Sequence, residues 1–300
     1  SRLSAMLKPG SVGILDSNDL MPTNADGTLP WRQNSDLYYL SGIDQEESTL
    51  LLFPDAVEEI DREILFIKET SEHIAIWEGE KLTKQTAFET SGIQTVYWLQ
   101  QFPTIFKQLM SEASGIYLNT NEHLRASTEV ETREDRFIKK VKQDFPGHSV
   151  KKSAPIMHEI RSIKSSIELD LMQRACKITE SGVRRILGFV KPGVWEYEIE
   201  AELIHEFIRN RSQGFAYTPI IASGKNACVL HYIENNQQCQ EGDLILLDVG
   251  AEYANYASDL TRCIPVSGVF TKRQKEVYNA VLHVKKEAEK LLVPGTMMVD

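Results

Sequence analysis

Several things are missing from this 300-residue chain. No run of Lys or Arg is longer than two residues, and acidic side chains outnumber basic ones 43 to 33, for a formal net charge of −10. A surface this acidic repels phosphate backbones, so no nucleic-acid partner is expected. No apolar stretch approaches the ~20 residues that span a bilayer. The longest, such as 50–53 and 244–247, are strand-sized, so no membrane partner is expected either. The first residues lack the charged-then-apolar pattern of a secretory signal. The chain opens on Ser1 rather than Met, so a few residues are expected to have been removed or replaced. Only four cysteines occur (Cys176, Cys228, Cys239, Cys263), with no Cys-x-x-Cys pair. They read as reduced, buried thiols in a cytoplasm rather than as disulfides or metal ligands. Gly-x-Gly-x-x-Gly is absent, Gly224-Lys225 lacks the upstream glycine of a P-loop, and His205-Glu206 meets Arg209 where a zinc peptidase needs a second histidine.

What is present is a soluble-domain composition, 42% hydrophobic and 25% charged. The length suggests two domains. Residues 1–152 alternate short apolar strands (12–15, 49–53, 64–67, 74–77, 95–98, 116–118) with helices (2–7, 102–112, 132–143), the pattern of an α/β layer. A long polar stretch over 18–36 reads as a surface loop. Lysines and prolines between 146 and 155 mark a break, and residues 153–300 form the second domain. There, Ser165-Ser166-Ile167-Glu168 has the form of a capping box. Helical spacing follows to Pro192-Gly193, then again over 196–210 and 272–292, with strands dominating 215–266.

The densest chemical signal runs from Leu244 to Val266. Leu244 to Leu247 are apolar at every position, which predicts a strand covered on both faces. Asp248 continues that strand, and residues 256–264 read as its return. A hairpin centred between Tyr253 and Ala254 sets Asp248 directly opposite Asp259. Like charges across a ladder repel. Three outcomes remain open on the residues alone: a divalent cation between the carboxylates, a hydrogen-bonding hub, or a shared-proton dyad. The eleven-residue spacing is weak by itself, because Asp44 and Asp55 repeat it around a single strand.

The segment resembles the pita-bread metallopeptidases, specifically the Xaa-Pro aminopeptidases (aminopeptidase P) and their prolidase relatives. Asp248, Gly250, Tyr253, Asp259, Leu260, Thr261 and Arg262 match that family's Asp-x-Gly-x-x-Tyr … Asp-Leu-Thr-Arg context in order. Residues 218–232 match its Ser-Gly-x-Asn … His-Tyr block, 31–42 its N-terminal domain, and 157–165 the entry to its catalytic domain. The resemblance implies an N-terminal α/β domain of the creatinase/prolidase kind followed by a pita-bread (α+β) catalytic domain. This chain would carry mainly the first half of that catalytic domain.

The implied activity is removal of the N-terminal residue from peptides with proline second, by attack of a metal-bridging hydroxide. Two divalent ions are implied, manganese foremost, with cobalt or zinc as alternatives. Asp248 resembles the ligand of one metal and Asp259 the bridging ligand. His231 resembles the histidine that meets substrate near the scissile carbonyl, and Tyr217 an active-site tyrosine. Thr261 and Arg262 resemble residues that orient the carboxylates. The family completes its site with one histidine and two glutamates, expected after residue 300, since His283 lies in an ordinary helix. The chain is therefore expected to be the leading part of a longer one, assembling as a homodimer or higher oligomer. The alternatives are a dipeptidase on the same scaffold, or a metal-free peptide- or protein-binding module.

Overall fold

The computed structural model describes residues 2–121 and 129–297. Two compact units emerge, Ser1–Ile163 and Lys164–Asp300.

In the first unit, short, mostly apolar runs build a six-stranded mixed sheet from β1 (Ser11–Asp16), β2 (Thr49–Leu52), β3 (Glu63–Ile67), β4 (Thr95–Trp98), β5 (Gly115–Leu118) and β6 (Ser149–Lys152). The strand order is β4-β3-β2-β1-β5-β6. The central strands β1 and β2 are buried throughout because helices cover both faces. Helices α1 (Ser35–Ser41), α2 (Glu72–Glu78), α3 (Lys84–Ser91), α4 (Phe102–Glu112), α5 (Arg133–Asp144) and α6 (Ala154–Ser162) complete the unit. Val12, Ile14, Ile64 and Phe66 face Phe106, Leu109 and Met110 of α4 and Val141 of α5. Leu15, Leu50, Leu65 and Ile67 face Leu37 of α1, Ala87 of α3, and Met157 and Ile160 of α6.

Three sequence expectations change here. Residues 74–77 lie in helix α2, because Ser71 Oγ caps the Ile74 amide and a four-residue apolar run has no helix-or-strand signature of its own. Residues 2–7 form only a 3-10 turn at Ser4–Met6. The 146–155 break contains β6, paired in parallel with β5. Just after it, α6 packs into the first unit's core, so that compact unit extends to Ile163 whereas the sequence boundary falls at 152/153.

Glu134, in the first turn of α5, is pushed up to about 8, first by burial and then by Asp16, Asp36 and Asp135. A raised carboxyl contributes stability that is complete below its unfolded value and lost as pH rises through about 8. Glu134→Gln should match the parent's melting temperature near pH 5 and exceed it by roughly a few degrees near pH 9, read by circular dichroism.

The second unit begins with α7 (Ser166–Leu187), whose Ser165/Glu168 capping box forms as the sequence predicts. Next come α8 (Glu196–Arg209), β7 (Ile220–Ser223), β8 (Leu244–Val249), β9 (Glu252–Tyr253), β10 (Tyr256–Ala257), β11 (Leu260–Pro265) and α9 (Lys272–Glu289). The antiparallel sheet has the order β11-β8-β7. Ile178, Val183 and Ile186 of α7 and Ile199, Leu203 and Phe207 of α8 pack on Ile221, Ile245, Leu247 and Val249. Burial along β8 therefore alternates instead of being complete: Ile245, Leu247 and Val249 are buried, while Leu244, Leu246 and Asp248 are half-buried. The two α-helices cover one face only, which corrects the expectation of a strand covered on both. Helix α9 contributes no buried residue, and Val277, Val281 and Val284 remain exposed.

Candidate active site

The site is built on the β8–β11 hairpin. The turn closes at Ala254-Asn255, both in the left-handed region (φ 50° and 66°), with Tyr256 opposite Tyr253. Positive φ at both central residues is the geometry that matches strand twist in two-residue hairpins. This turn lies one residue later than the sequence reading placed it, so the register shifts by two. Asp248 faces Thr261, not Asp259. Because side chains alternate with period two, a shift of two keeps every residue on its face. Asp259 thus stays on the Asp248 side, one diagonal step away, where β10 has ended and β11 has not begun.

Gly250 makes this geometry possible. A Cβ there would lie 1.9 Å from the Ser258 carbonyl oxygen and 3.1 Å from Tyr217 Cε1. A closed set of hydrogen bonds fixes the same place from α7. The Ala251 amide donates to Thr179 Oγ1 (2.8 Å), which lies 2.6 Å from Ser258 Oγ, and Ser258 Oγ donates to the Ala251 carbonyl (2.9 Å). Since the single Ser258 hydroxyl proton goes to the Ala251 carbonyl, Thr179 Oγ1 donates its own to Ser258 Oγ. Ser258 is thereby pinned one residue before Asp259.

Tyr217 is brought in by the segment that leads from α8 to β7. The Ala216 amide donates to the Gly250 carbonyl (2.8 Å), and the Glu252 amide to the Gly214 carbonyl (3.0 Å). Its hydroxyl lies 2.7 Å from Asp248 Oδ1 and 3.2 Å from Asp259 Oδ1. Burial above all, then the hydrogen bond to Asp248 and the two carboxylate charges, push the phenol well above the ordinary tyrosine range. Tyr217 therefore keeps its proton, and one proton serves one carboxylate at a time. Two carboxylates at this approach repel by roughly 1–3 kcal/mol at an effective dielectric near 20, reduced by the exposure of Asp259.

The donor set fits a hard divalent cation. Both carboxylates converge on one point, and neither Oδ2 atom makes a hydrogen bond to the described residues. The two aspartates form only part of a ligand set, because no cluster of three or more His, Cys, Asp or Glu side chains stands ready for a metal among the described residues.

The other expected residues divide. Thr261 is opposite Asp248 on the same face. Arg262 pairs with Leu247, so strand alternation places it on the opposite face, and its Nη1 donates to the Thr261 carbonyl (2.7 Å) rather than to a carboxylate. His231 lies on an exposed turn after the 3-10 segment Gly224–Cys228 and forms no hydrogen bond to Tyr217, Asp248 or Asp259. Sequence reasoning assigned no role to Thr179, Ser258, Glu196 or Tyr232. The first two look like ordinary helix and strand residues. Glu196 looks like any acid in a helix's first turn.

Comparison with known proteins gives the chain's family. The model of metallopeptidase family M24 matches residues 170–300, and that of the aminopeptidase P N-terminal domain matches residues 1–117. The Xaa-Pro aminopeptidase of Haemophilus influenzae is 34% identical over 98% of this chain and 66% of its own length. That of Escherichia coli is 31% identical over 99% and 68%. The chain thus spans about two thirds of the length of these relatives. Among solved structures, zinc-substituted E. coli aminopeptidase P in complex with product superposes with a TM-score of 0.85 at 30% identity, covering 98% of this chain and 67% of that one. Pseudomonas aeruginosa aminopeptidase PepP gives 0.87 at 29%, covering 98% and 66%.

Proposed function

The chain belongs to the Xaa-Pro aminopeptidases of metallopeptidase family M24, and from that premise we propose that it is a metal-dependent exopeptidase removing the first residue of peptides with proline second. The observation that carries this reading is the convergence of Asp248 and Asp259 on one hydroxyl. Divalent cations bound there would polarise the scissile carbonyl and make a water molecule acidic near neutral pH. We assign two such ions. Asp248 and Asp259 would both hold them; manganese is the expected metal, with cobalt and zinc as alternatives, since carboxylate oxygens accept all three.

The chain's own residues do the rest. Tyr217, held protonated, donates on the Oδ1 side of the pair and leaves the Oδ2 atoms without a hydrogen bond to the described residues. Thr261, paired with Asp248 on the same face, is the residue placed to orient its carboxylate. Arg262, on the other face, acts only through the backbone of Thr261. His231, exposed and unbonded, donates a ring N–H to the substrate carbonyl as negative charge develops. Proline offers no amide hydrogen and a fixed φ, so discrimination rests on a pocket shaped to its ring. The proposal includes a homodimer or larger assembly and a cytoplasmic setting. Four free thiols support the latter, and no described helix is long and apolar enough to cross a membrane.

His231→Ala is expected to lower turnover on an Xaa-Pro peptide by roughly a hundredfold, the size of a lost oxyanion donor, with metal content unchanged. Loss of metal in the same variant would show that the role is misassigned. Cleavage of Ala-Pro-Ala by the full-length, metal-loaded protein tests the substrate class. Activity confined to dipeptides would make it a dipeptidase, and absence of bound metal in an inactive protein would make it a binding module.

A further inference from the structure

We propose that a buried acid clamp, Glu196 acting through Tyr232, sets the position of His231. The inference rests on the reading above that His231 meets substrate. Glu196 opens α8 and is 0% exposed. Its Oε1 accepts from both the amide and the hydroxyl of Ser223 (2.7 Å each). Its Oε2 accepts from the Tyr232 hydroxyl (2.7 Å) and the Gln237 amide (2.9 Å). A carboxylate offers about four acceptor directions, and here all four are taken. Burying such a group is strongly unfavourable unless every direction is satisfied, so the four donors and the acid hold one another in a single arrangement.

One turn along the same helix, Glu200 Oε2 accepts from Asn235 Nδ2 (2.9 Å). Asn235 is buried in the left-handed region (φ 46°). Its Oδ1 accepts from the Ile221 amide (3.0 Å), and its Nδ2 also donates to the Pro219 carbonyl (3.0 Å). The segment over 229–237 is therefore anchored at Tyr232 and Asn235. Between and before these anchors the side chains face solvent: Leu230 is 84% exposed and Ile233 is 54% exposed.

His231 sits immediately before the first anchor and has no hydrogen bond of its own. Its place follows from that of Tyr232. The Tyr232 ring packs with Ile220, Ala222 and Leu246. Ile220 is paired with Asp248 across β7 and β8, so this is the sheet face that carries Asp248. The clamp thus joins the acid at the base of α8 to the histidine's turn on the side of the sheet where the carboxylates converge. Glu196 and Tyr232 are positioning residues that act through His231.

Tyr232→Phe removes one hydroxyl and keeps the packed ring. In the full-length, metal-loaded protein it should lower kcat on an Xaa-Pro peptide by about tenfold, the scale for residues that orient a working group, with KM and metal content nearly unchanged. The His231 imidazole resonance should move in the nuclear magnetic resonance spectrum of Tyr232→Phe. Glu196→Gln, which turns two acceptor directions into donors, should move it as well. In a His231→Ala background, Tyr232→Phe should cost less than about twofold further, because the clamp then has nothing to position. An equal tenfold loss in that background overturns the proposal, as does an unmoved His231 resonance in Tyr232→Phe. Full turnover in His231→Ala alone sinks the role assigned to the histidine instead, and the resonance then decides the clamp independently.

Discussion

Asp259→Asn is expected to abolish divalent-metal binding and to reduce peptidase turnover by roughly a thousandfold or more, since even residues that merely orient a ligand cost 10–100-fold. The fold should survive. Asp259 is exposed, lies in the gap between β10 and β11, and contributes to no apolar cluster. Asparagine keeps the size and an oxygen able to accept from Tyr217, which now lies 3.2 Å away. What it lacks is the charge that a cation balances. Metal content after dialysis, turnover on an Xaa-Pro peptide and the melting curve together check this. Retained metal with full turnover would remove Asp259 from the site. A collapsed melting curve would show the carboxylate to be structural.

Gly250→Ala is expected to be the most destabilising conservative change in the hairpin, by about 3 kcal/mol or more, the top of the range for overpacking. Its Cβ would come within 1.9 Å of the Ser258 carbonyl oxygen, and that neighbour is backbone, with no rotamer to retreat into. The strands must part, and the Thr179–Ser258–Ala251 hydrogen bonds part with them. For a unit of this size that corresponds to a fall of roughly 6–12 °C in melting temperature. Metal affinity should fall with it, because Ser258 precedes Asp259. Gly147→Ala, where a Cβ would meet nothing within 4 Å, serves as the control and should melt like the parent. A Gly250→Ala protein with the parent's melting temperature and metal content would show that the strands do not depend on this close approach.

The hairpin illustrates how a partly wrong register still located the right pair. The sequence reading erred by one residue in the turn, because Ala254 carries no preference for the left-handed region that it adopts beside Asn255. The resulting shift was even, and parity is what assigns faces. Asp248 and Asp259 therefore share a side under either register. Parity likewise separates Arg262 from Asp248, although the two lie near each other in the motif.

A helix start was legible where a capping box precedes a long stretch of helical spacing, as at Ser165 with Glu168. The helix was illegible at 72–78, where a brief apolar run suits either period. Motif and order along the chain were enough to identify the family and to nominate the two aspartates, because metal chemistry demands particular residue types at particular spacings. Contacts between distant segments were not written there. Tyr217 reaching both carboxylates, Thr179 locking Ser258, and Glu196 gathering Ser223, Tyr232 and Gln237 each depend on helices laid against a sheet. A buried acid and a solvated one are spelled with the same letter, and only packing distinguishes them.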